Sequence, residues 1–285
     1  MDKNILHLLW NSINTYPEKP AFLYKKEGKY EALSYREVGE KITNLTHGLA
    51  SLGLKPADRL AILSYNRPEW PICDFAIFSL RGVSVPIYHT LHPAQVRYIL
   101  KDSGARVVFV ENELQLNKIR EIRKDCPELK FIILLSGSSD DQIIPWNQIL
   151  QAGASHRQKH PDFYRNNLES INPKETCSIV YTSGTTGNPK GVMLHHHGFV
   201  LDLINSEAVF RLYPEDVFLS FLPLSHLYER LGGHWCPLYR GATIGYAEDI
   251  STVIDDIQQI HPTVMVSVPR LYEKISRAVM EQVES

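Results

Sequence analysis

Apolar side chains recur at steps of three and four residues between residues 34 and 53. The apolar positions of this segment are Val38, Ile42, Leu45, Leu49 and Leu52. This spacing places them on one face of a helix. Ser34 and Glu37 form the sequence pattern of a capping box, and Gly53 supplies the left-handed conformation that often follows a helix. The pattern therefore predicts a helix that begins after Ser34 and ends before Gly53.

After this helix, short apolar segments rich in β-branched residues alternate with segments of helical length. The predicted strands cover residues 59–64, 83–87, 106–110 and 130–135, and the predicted helices between them cover residues 70–80, 93–101 and 114–125. Strands separated by helices of this length pair in parallel, and mostly apolar strands suit a sheet that is covered on both faces. The pattern predicts an α/β fold.

The apolar periodicity weakens between residues 136 and 172, where Gly, Ser, Asp and Pro surround one short candidate helix at residues 146–151. Beyond this region, strands are predicted at residues 176–181, 217–222, 242–246 and 263–268, followed by a helix at residues 270–283. A weakly patterned stretch of this kind favours a subdomain junction. We therefore predict two packed α/β subdomains with mainly parallel sheets, residues 1–170 and 171–285.

Composition and charge direct attention to pockets rather than to a charged binding surface. The 285 residues include 30 Lys and Arg against 32 Asp and Glu, which predicts no general attraction to nucleic acid. No apolar run is long enough to span a bilayer, and no secretory signal pattern is present, so a cytoplasmic location is expected. Peripheral membrane contact and oligomeric state stay open. The scattered cysteines, Cys73, Cys126, Cys177 and Cys236, are expected to be reduced.

The segment at residues 181–191 carries the clearest chemistry. Its sequence, Tyr-Thr-Ser-Gly-Thr-Thr-Gly-Asn-Pro-Lys-Gly, follows a predicted strand, and α/β sheets bind ligands at strand ends. Glycines permit tight turns, hydroxyls donate hydrogen bonds and the lysine adds positive charge, which suits polyphosphate oxygens. The segment lacks the Gly-Lys-Ser/Thr of the common P-loop and the Gly-x-Gly-x-x-Gly of dinucleotide folds. By composition alone, a surface loop without a ligand explains it equally well.

The segment at residues 181–191 resembles the phosphate-loop signature of the adenylate-forming superfamily, which includes acyl-CoA synthetases, luciferases and the adenylation domains of peptide synthetases. Three further segments resemble its long-chain fatty-acyl-CoA synthetase branch. They are Asn-Arg-Pro-Glu-Trp at residues 66–70, Phe-Leu-Pro-Leu-Ser-His-Leu-Tyr-Glu-Arg at residues 221–230 and Val-Pro-Arg-Leu-Tyr-Glu-Lys at residues 268–274. The resemblance implies that a fatty-acid carboxylate attacks the α-phosphorus of ATP to form acyl-adenylate and pyrophosphate. The thiol of coenzyme A then displaces AMP.

The resemblance also implies which residues of the phosphate loop bind the nucleotide. The residues expected to contact the phosphates are Thr182, Ser183, Gly184, Thr185, Thr186, Gly187 and Lys190. In the family, the threonine at the place of Thr182 also contacts Mg²⁺. Lys190 is expected to be catalytic through its charge, with a purely structural ion pair as the alternative.

A second group of candidate residues lies at residues 226–235. The resemblance places His226 near the meeting point of the acyl carboxylate and the nucleotide, where an imidazole orients the carboxylate or donates to developing charge. A structural histidine is the alternative. Glu229 and Arg230 either belong to the same site or form a local helix ion pair. Trp235 and residues 231–233 either border an acyl tunnel or belong to the core.

The later motifs of the superfamily, which bind adenine, ribose and Mg²⁺ and supply a mobile domain with a catalytic lysine, have no counterpart in residues 1–285. We therefore expect an incomplete large domain, inactive by itself, from a long-chain fatty acid–CoA ligase. The alternatives are a ligase for another carboxylic acid and a catalytically silent binding module. A nucleotide kinase or GTPase is disfavoured by the absent Gly-Lys-Ser/Thr.

Overall fold

The structure is a computed structural model that describes residues 4–137, 140–182, 188–269 and 273. The α-helices within these residues are α1 (Ile5–Thr15), α2 (Tyr35–Ser51), α3 (Glu69–Ser79), α4 (Pro93–Ser103), α5 (Glu113–Ile122), α6 (Trp146–Lys159), α7 (Phe163–Ser170), α8 (His196–Val209), α9 (Cys236–Arg240) and α10 (Val253–Ile260). A 3-10 turn (Arg123–Asp125) follows α5, and a π-helix (Glu229–Trp235) precedes α9. None of the described helices combines the length and apolarity needed to cross a membrane.

The strands form two sheets. Their bounds are β1 (Pro20–Lys26), β2 (Lys29–Ser34), β3 (Arg59–Leu63), β4 (Val83–Ile87), β5 (Val107–Val110), β6 (Phe131–Leu134), β7 (Ile144–Pro145), β8 (Thr176–Thr182), β9 (Lys190–His195), β10 (Val217–Ser220), β11 (Thr243–Tyr246) and β12 (Val264–Met265). The larger sheet has the order β7-β6-β5-β3-β4-β8-β9, and the smaller has the order β12-β10-β11-β1-β2. Neighbours are parallel except for the pairs β8/β9 and β1/β2. The predicted α/β class with mainly parallel sheets is confirmed.

Alternating side chains of the larger sheet enter different cores, because successive residues of a strand point to opposite faces. Leu60 and Ile62 of β3 pack in the core that contains α2 and α3. Ala61 and Leu63 of the same strand pack with α4 and α5. The central strands are buried on both faces, which explains their continuous apolar sequences.

The two sheets share one core. Phe22 and Ile244 of the smaller sheet belong to the same apolar cluster as Leu60 and Ile62 of the larger sheet. Phe22 and Ile244 are also register partners where β1 pairs with β11. Strands from the beginning and the end of the described chain are therefore neighbours in the smaller sheet.

Each sheet contains strands from both sides of the predicted boundary between residues 170 and 171. The hairpin β1/β2 joins β10, β11 and β12, while β8 and β9 join the larger sheet. Strand β8, with which the predicted second subdomain begins, pairs in parallel with β4 of the larger sheet, where Ser84 and Ser178 are register partners. The division at residues 170 and 171 stays a prediction about folding units.

Local predictions agree closely with the observed elements where caps mark the ends. The Ser34 hydroxyl accepts a hydrogen bond from the Glu37 N–H at 3.2 Å, and the Glu37 carboxylate accepts one from the Ser34 N–H at 2.7 Å. Gly53 has a φ of 77°, as its predicted role requires. The helix predicted at residues 146–151 is longer, since α6 extends to Lys159. The helix predicted at residues 270–283 lies outside the described residues, apart from Glu273.

Candidate functional site

Strands β8 and β9 form a hairpin that contains both ends of the hydroxyl-rich segment, residues 181–191. Thr182 is the last residue of β8, Lys190 is the first residue of β9, and the two are register partners in the antiparallel pair. The fold thus sets the threonine hydroxyl and the lysine side by side at the carboxyl end of a parallel strand. The predicted phosphate contacts Ser183, Gly184, Thr185, Thr186 and Gly187 lie outside the described residues, so their roles stay predictions.

Helix α4 supports the base of this hairpin. The Tyr181 hydroxyl donates a hydrogen bond to the Asp102 carboxylate at 2.6 Å. The Tyr98 hydroxyl donates to the Pro189 carbonyl at 3.1 Å. The rings of Tyr98 and Tyr181 also meet edge to face, with their centroids 6.4 Å apart. The end of β8 at Tyr181 and the residue that precedes β9, Pro189, are therefore both held by α4.

Thr182 and Lys190 are both exposed. No acidic side chain within the described ranges forms an ion pair with the Lys190 ammonium group. The structural ion pair considered as an alternative is thus not observed for Lys190 in this part of the chain. An exposed ammonium group beside an exposed hydroxyl can receive an anionic ligand.

His226 lies in the segment that follows β10 in the smaller sheet. Its side chain is exposed, and its Nδ1 accepts a hydrogen bond from the Tyr228 N–H at 3.2 Å. Because a neutral imidazole has one donor and one acceptor nitrogen, acceptance at Nδ1 assigns the proton to Nε2. The side chain therefore offers an N–H donor to the surroundings, unlike a histidine that is satisfied within a core. No hydrogen bond joins His226 to Thr182 or Lys190, all three of which are described residues.

Asn66 fixes the segment that carries His226. Its buried amide donates hydrogen bonds to the Ser220 hydroxyl at 2.9 Å and to the Leu222 carbonyl at 2.6 Å. Its carbonyl oxygen accepts one from the Leu224 N–H at 3.0 Å. This role of Asn66 was not predicted, although Asn66 begins the segment at residues 66–70 that carries part of the resemblance.

Glu229 and Arg230 do not form the local helix ion pair that was considered for them. The Glu229 carboxyl is buried and accepts a hydrogen bond from the Ser220 hydroxyl at 2.8 Å, while its Oε2 has no partner among the described residues. Burial raises the pKa of Glu229 to about 8. Burial also lowers the pKa of His234, whose Nδ1 lies 3.8 Å from Glu229, to about 3. At neutral pH, therefore, Glu229 is largely protonated and His234 is neutral.

Arg230 instead pairs with Asp74 of α3, which is 156 positions away in sequence. Nε donates to Oδ2 at 2.9 Å and Nη2 donates to Oδ1 at 2.5 Å, so the contact is bidentate. The ion-pair alternative for Arg230 was wrong because the partner comes from a different element rather than from the adjacent residue.

A cavity of about 590 Å³ lies between α8, the π-helix and β12. Much of its wall is apolar, including Leu203, Phe218, Leu231, Gly232 and Val266. Tyr228, whose backbone N–H donates to His226, is also part of this wall, so the wall includes a residue two positions from the candidate histidine.

Trp235 belongs to the core rather than to the cavity wall. Its ring is buried and meets Phe199 edge to face, with centroids 4.4 Å apart. Trp235 is therefore a core residue rather than part of a tunnel border, while Leu231 and Gly232 line the cavity.

Comparisons with known proteins agree with the sequence resemblance. The family model described as "AMP-binding enzyme" matches residues 9–284. Peroxisomal long chain acyl-CoA synthetase 6 of Arabidopsis thaliana is 32% identical over 269 residues, covering 90% of this chain and 37% of the relative. The long-chain-fatty-acid–CoA ligase FadD15 of Mycobacterium bovis is 33% identical over 251 residues, covering 87% of this chain and 41% of the relative. The chain thus spans about two fifths of the length of the curated relatives it matches.

Two solved structures have the same fold at low sequence identity. The anthranilate CoA ligase AuaEII in complex with anthranoyl-AMP is 23% identical with a TM-score of 0.79, covering 93% of this chain and 49% of that chain. Apo MbtA of Mycobacterium smegmatis is 20% identical with a TM-score of 0.80, covering 95% of this chain and 49% of that chain. At these identities the likeness concerns the fold alone.

Proposed function

Because the chain belongs to the AMP-binding enzyme family, we propose that it forms the phosphate-binding part of an ATP-dependent long-chain fatty acid–CoA ligase. The observation that carries this proposal is the β8/β9 hairpin, which sets the exposed Thr182 beside the exposed Lys190 at the end of a parallel strand. The overall reaction joins a fatty acid to coenzyme A through an acyl-adenylate and releases pyrophosphate and AMP.

The hairpin residues act on the triphosphate. The Thr182 hydroxyl and the segment at residues 183–187 donate hydrogen bonds to the β- and γ-phosphates, and the Lys190 ammonium offsets the charge that develops on departing pyrophosphate. Phosphoryl-centred substitution needs alignment and charge stabilisation more than covalent help from the protein. A hairpin whose second strand begins with an exposed ammonium group can contribute to both.

Magnesium fits this site as a companion of the nucleotide. The exposed Thr182 hydroxyl is a hard oxygen donor, and the described residues contain no cluster of three or more His, Cys, Asp or Glu side chains that would cage an ion. Mg²⁺ is commonly held by substrate phosphates with few protein ligands. Thr182 would hold it, and it would supply charge neutralisation of the phosphates when bound.

The His226 side chain orients the acid. Its Nε2–H donates to the fatty-acid carboxylate, while the Tyr228 N–H holds the ring through Nδ1. A carboxylate held in this orientation attacks the α-phosphorus from one direction. Part of the entropy loss of the reaction then occurs when the substrates bind rather than in the chemical step.

The acyl chain occupies the cavity that begins at Tyr228. Its volume of about 590 Å³ lies within the range of ligand pockets in proteins, and its apolar wall suits an alkyl chain. The alternative is a ligase for a different carboxylic acid. The measurement described next distinguishes the two by the acid that supports the fastest exchange.

The test is pyrophosphate–ATP exchange by the full-length protein with palmitate, acetate and benzoate as acids. Palmitate should support the fastest exchange, and Lys190→Met should lower kcat/KM about 10²- to 10³-fold, because one fixed charge beside the departing pyrophosphate is lost. Lys159→Met, which removes an exposed lysine of α6, is the control and should leave exchange unchanged. Undiminished exchange by Lys190→Met would remove the hairpin from the mechanism, and faster exchange with benzoate or acetate would reassign the substrate.

A further inference from the structure

The fully buried guanidinium of Arg230 connects three elements of the fold. Two of its nitrogens bind the Asp74 carboxylate on α3, and Nη1 donates a hydrogen bond to the Ser178 hydroxyl on β8 at 2.8 Å. Arg230 itself lies on the π-helix. One side chain therefore joins the segment that carries His226 to the strand that leads into the phosphate-binding hairpin.

Aromatic rings surround the same guanidinium. Its central carbon lies 4.8 Å from the ring centroid of Trp235, 5.5 Å from that of Trp70, 5.6 Å from that of Phe78 and 5.9 Å from that of Phe199. These contacts add cation–π attraction and restrict the guanidinium to one position. Buried ion pairs add little stability relative to apolar side chains of the same volume. Precise placement is the property that this arrangement supplies better than an apolar core would.

Arg230 and Ser178 each lie four residues from a candidate site residue in the sequence. The Arg230 N–H donates to the His226 carbonyl at 3.0 Å, so one helical turn separates the two. Ser178 stands four residues before Thr182 on β8. Its hydroxyl also donates to the Ser84 carbonyl of β4 at 2.9 Å, which ties the contact to the interior of the larger sheet. The connection from Arg230 to His226 runs through the turn that leads into the π-helix, and the connection from Ser178 to Thr182 runs along β8.

We propose that Arg230 is a positioning residue of the adenylation step, which holds His226 at a fixed place relative to the Thr182–Lys190 hairpin through Asp74 and Ser178. This inference rests on the proposed function, because it assigns His226 to the carboxylate and the hairpin to the triphosphate. The hairpin is part of the larger sheet, whereas His226 follows β10 of the smaller sheet, so their separation depends on contacts between the elements around the two sheets. A displacement of about 1 Å between reacting groups costs about 10²-fold in rate.

The first test is Ser178→Ala in the full-length protein, which removes the link to β8 and leaves the Arg230–Asp74 pair intact. The expected result is a kcat for palmitate-dependent exchange that falls about 10- to 100-fold, with KM for ATP changed less than about threefold. Ser178→Thr, which restores a hydroxyl, should recover most of the kcat. Cys177→Ala is the control, because it trims the neighbouring buried residue of β8, whose Sγ interacts with the Leu194 carbonyl.

A second variant separates positioning from stability. Asp74→Leu combined with Arg230→Met replaces the ion pair by apolar side chains, and its melting temperature should stay near that of the wild type while kcat remains low. If it fails to fold, Ser178→Ala decides alone. Wild-type kcat in Ser178→Ala overturns the positioning role while the proposed function stands. A wild-type protein without exchange for any acid overturns the proposed function, and the positioning role with it.

Discussion

Glu229 and His234 show how burial sets charge at the scale of single residues. Burial raises the pKa of Glu229 to about 8 and lowers the pKa of His234 to about 3, so two groups that would attract each other in water are both neutral at pH 7. Gly233 makes their approach possible, since a Cβ at this position would lie 2.5 Å from the Glu229 carboxyl oxygen. The sequence placed Glu229 in a motif but did not indicate its protonation.

The raised pKa of Glu229 predicts a pH dependence of stability. Above its unfolded pKa of about 4.5, the unfolded state has lost this proton while the folded state keeps it up to pH of about 8, so stability falls as pH rises through this window. The lowered pKa of His234 acts below pH of about 6.5, in the opposite direction. Between pH 6.5 and 8, Glu229 should therefore lower the free energy of unfolding by about 2 kcal/mol.

Urea denaturation of the wild type and of Glu229→Gln at pH 6.5 and pH 8 measures this effect. The substitution should make the two midpoints more similar than they are in the wild type. Glu121→Gln on the exposed side of α5 is the control and should retain the wild-type pH dependence. A wild-type midpoint that does not fall between these pH values would mean that Glu229 is ionised in the folded protein.

At the scale of elements, the packing of α2 against α6 explains why α6 was predicted too short. The buried residues of α6 are Trp146, Ile149 and Gly153. A Cβ at Gly153 would overlap the Asn44 backbone carbonyl, and a Cβ at Gly48 would overlap the Ile149 carbonyl. The two helices thus meet backbone to backbone. Hydrophobic periodicity does not register a contact made by glycines, because glycine carries no apolar side chain.

Replacement of glycine by alanine should have different effects in this contact and at an uncrowded helical glycine. Gly153→Ala should lower the melting temperature by several degrees, because overpacking a close contact costs about 1–3 kcal/mol. Gly198→Ala in α8 should leave the melting temperature unchanged or raise it, since a Cβ there meets no atom within 4 Å and alanine favours helices. Thermal denaturation followed by circular dichroism distinguishes them. Equal melting temperatures for both variants would contradict the close packing of α2 on α6.

At the scale of the whole molecule, the described residues bring together two sheets and one side of a proposed active site. Pairing of β1 with β11 joins the first and last parts of the described chain in the smaller sheet, and the Arg230–Asp74 ion pair joins the π-helix to α3. The hairpin, His226 and the cavity are the parts of the site that the described residues contain. The motifs for adenine and ribose that the resemblance implies have no counterpart within residues 1–285.

The 285-residue chain alone should therefore bind ATP weakly and form no palmitoyl-CoA. Contacts to phosphates without contacts to adenine and ribose leave much of the nucleotide in water, so a dissociation constant above the micromolar range is expected from calorimetry with Mg²⁺ and ATP. Chromatography of a reaction with palmitate, ATP and coenzyme A should show no thioester. Submicromolar affinity, or measurable turnover, would contradict the expectation.

The sequence by itself determined features that depend on neighbours a few residues apart. These include the capped helix α2, the apolar strands of the larger sheet and the hydroxyl-rich segment between β8 and β9. Tertiary structure alone decided the sheet to which β1 and β8 belong, the partner of Arg230 and the charge of Glu229. The physical reason is distance along the chain, because Arg230 and Asp74 are 156 positions apart and burial of Glu229 depends on elements from the whole fold. Local patterns carry no information about which distant groups will share a dry interior.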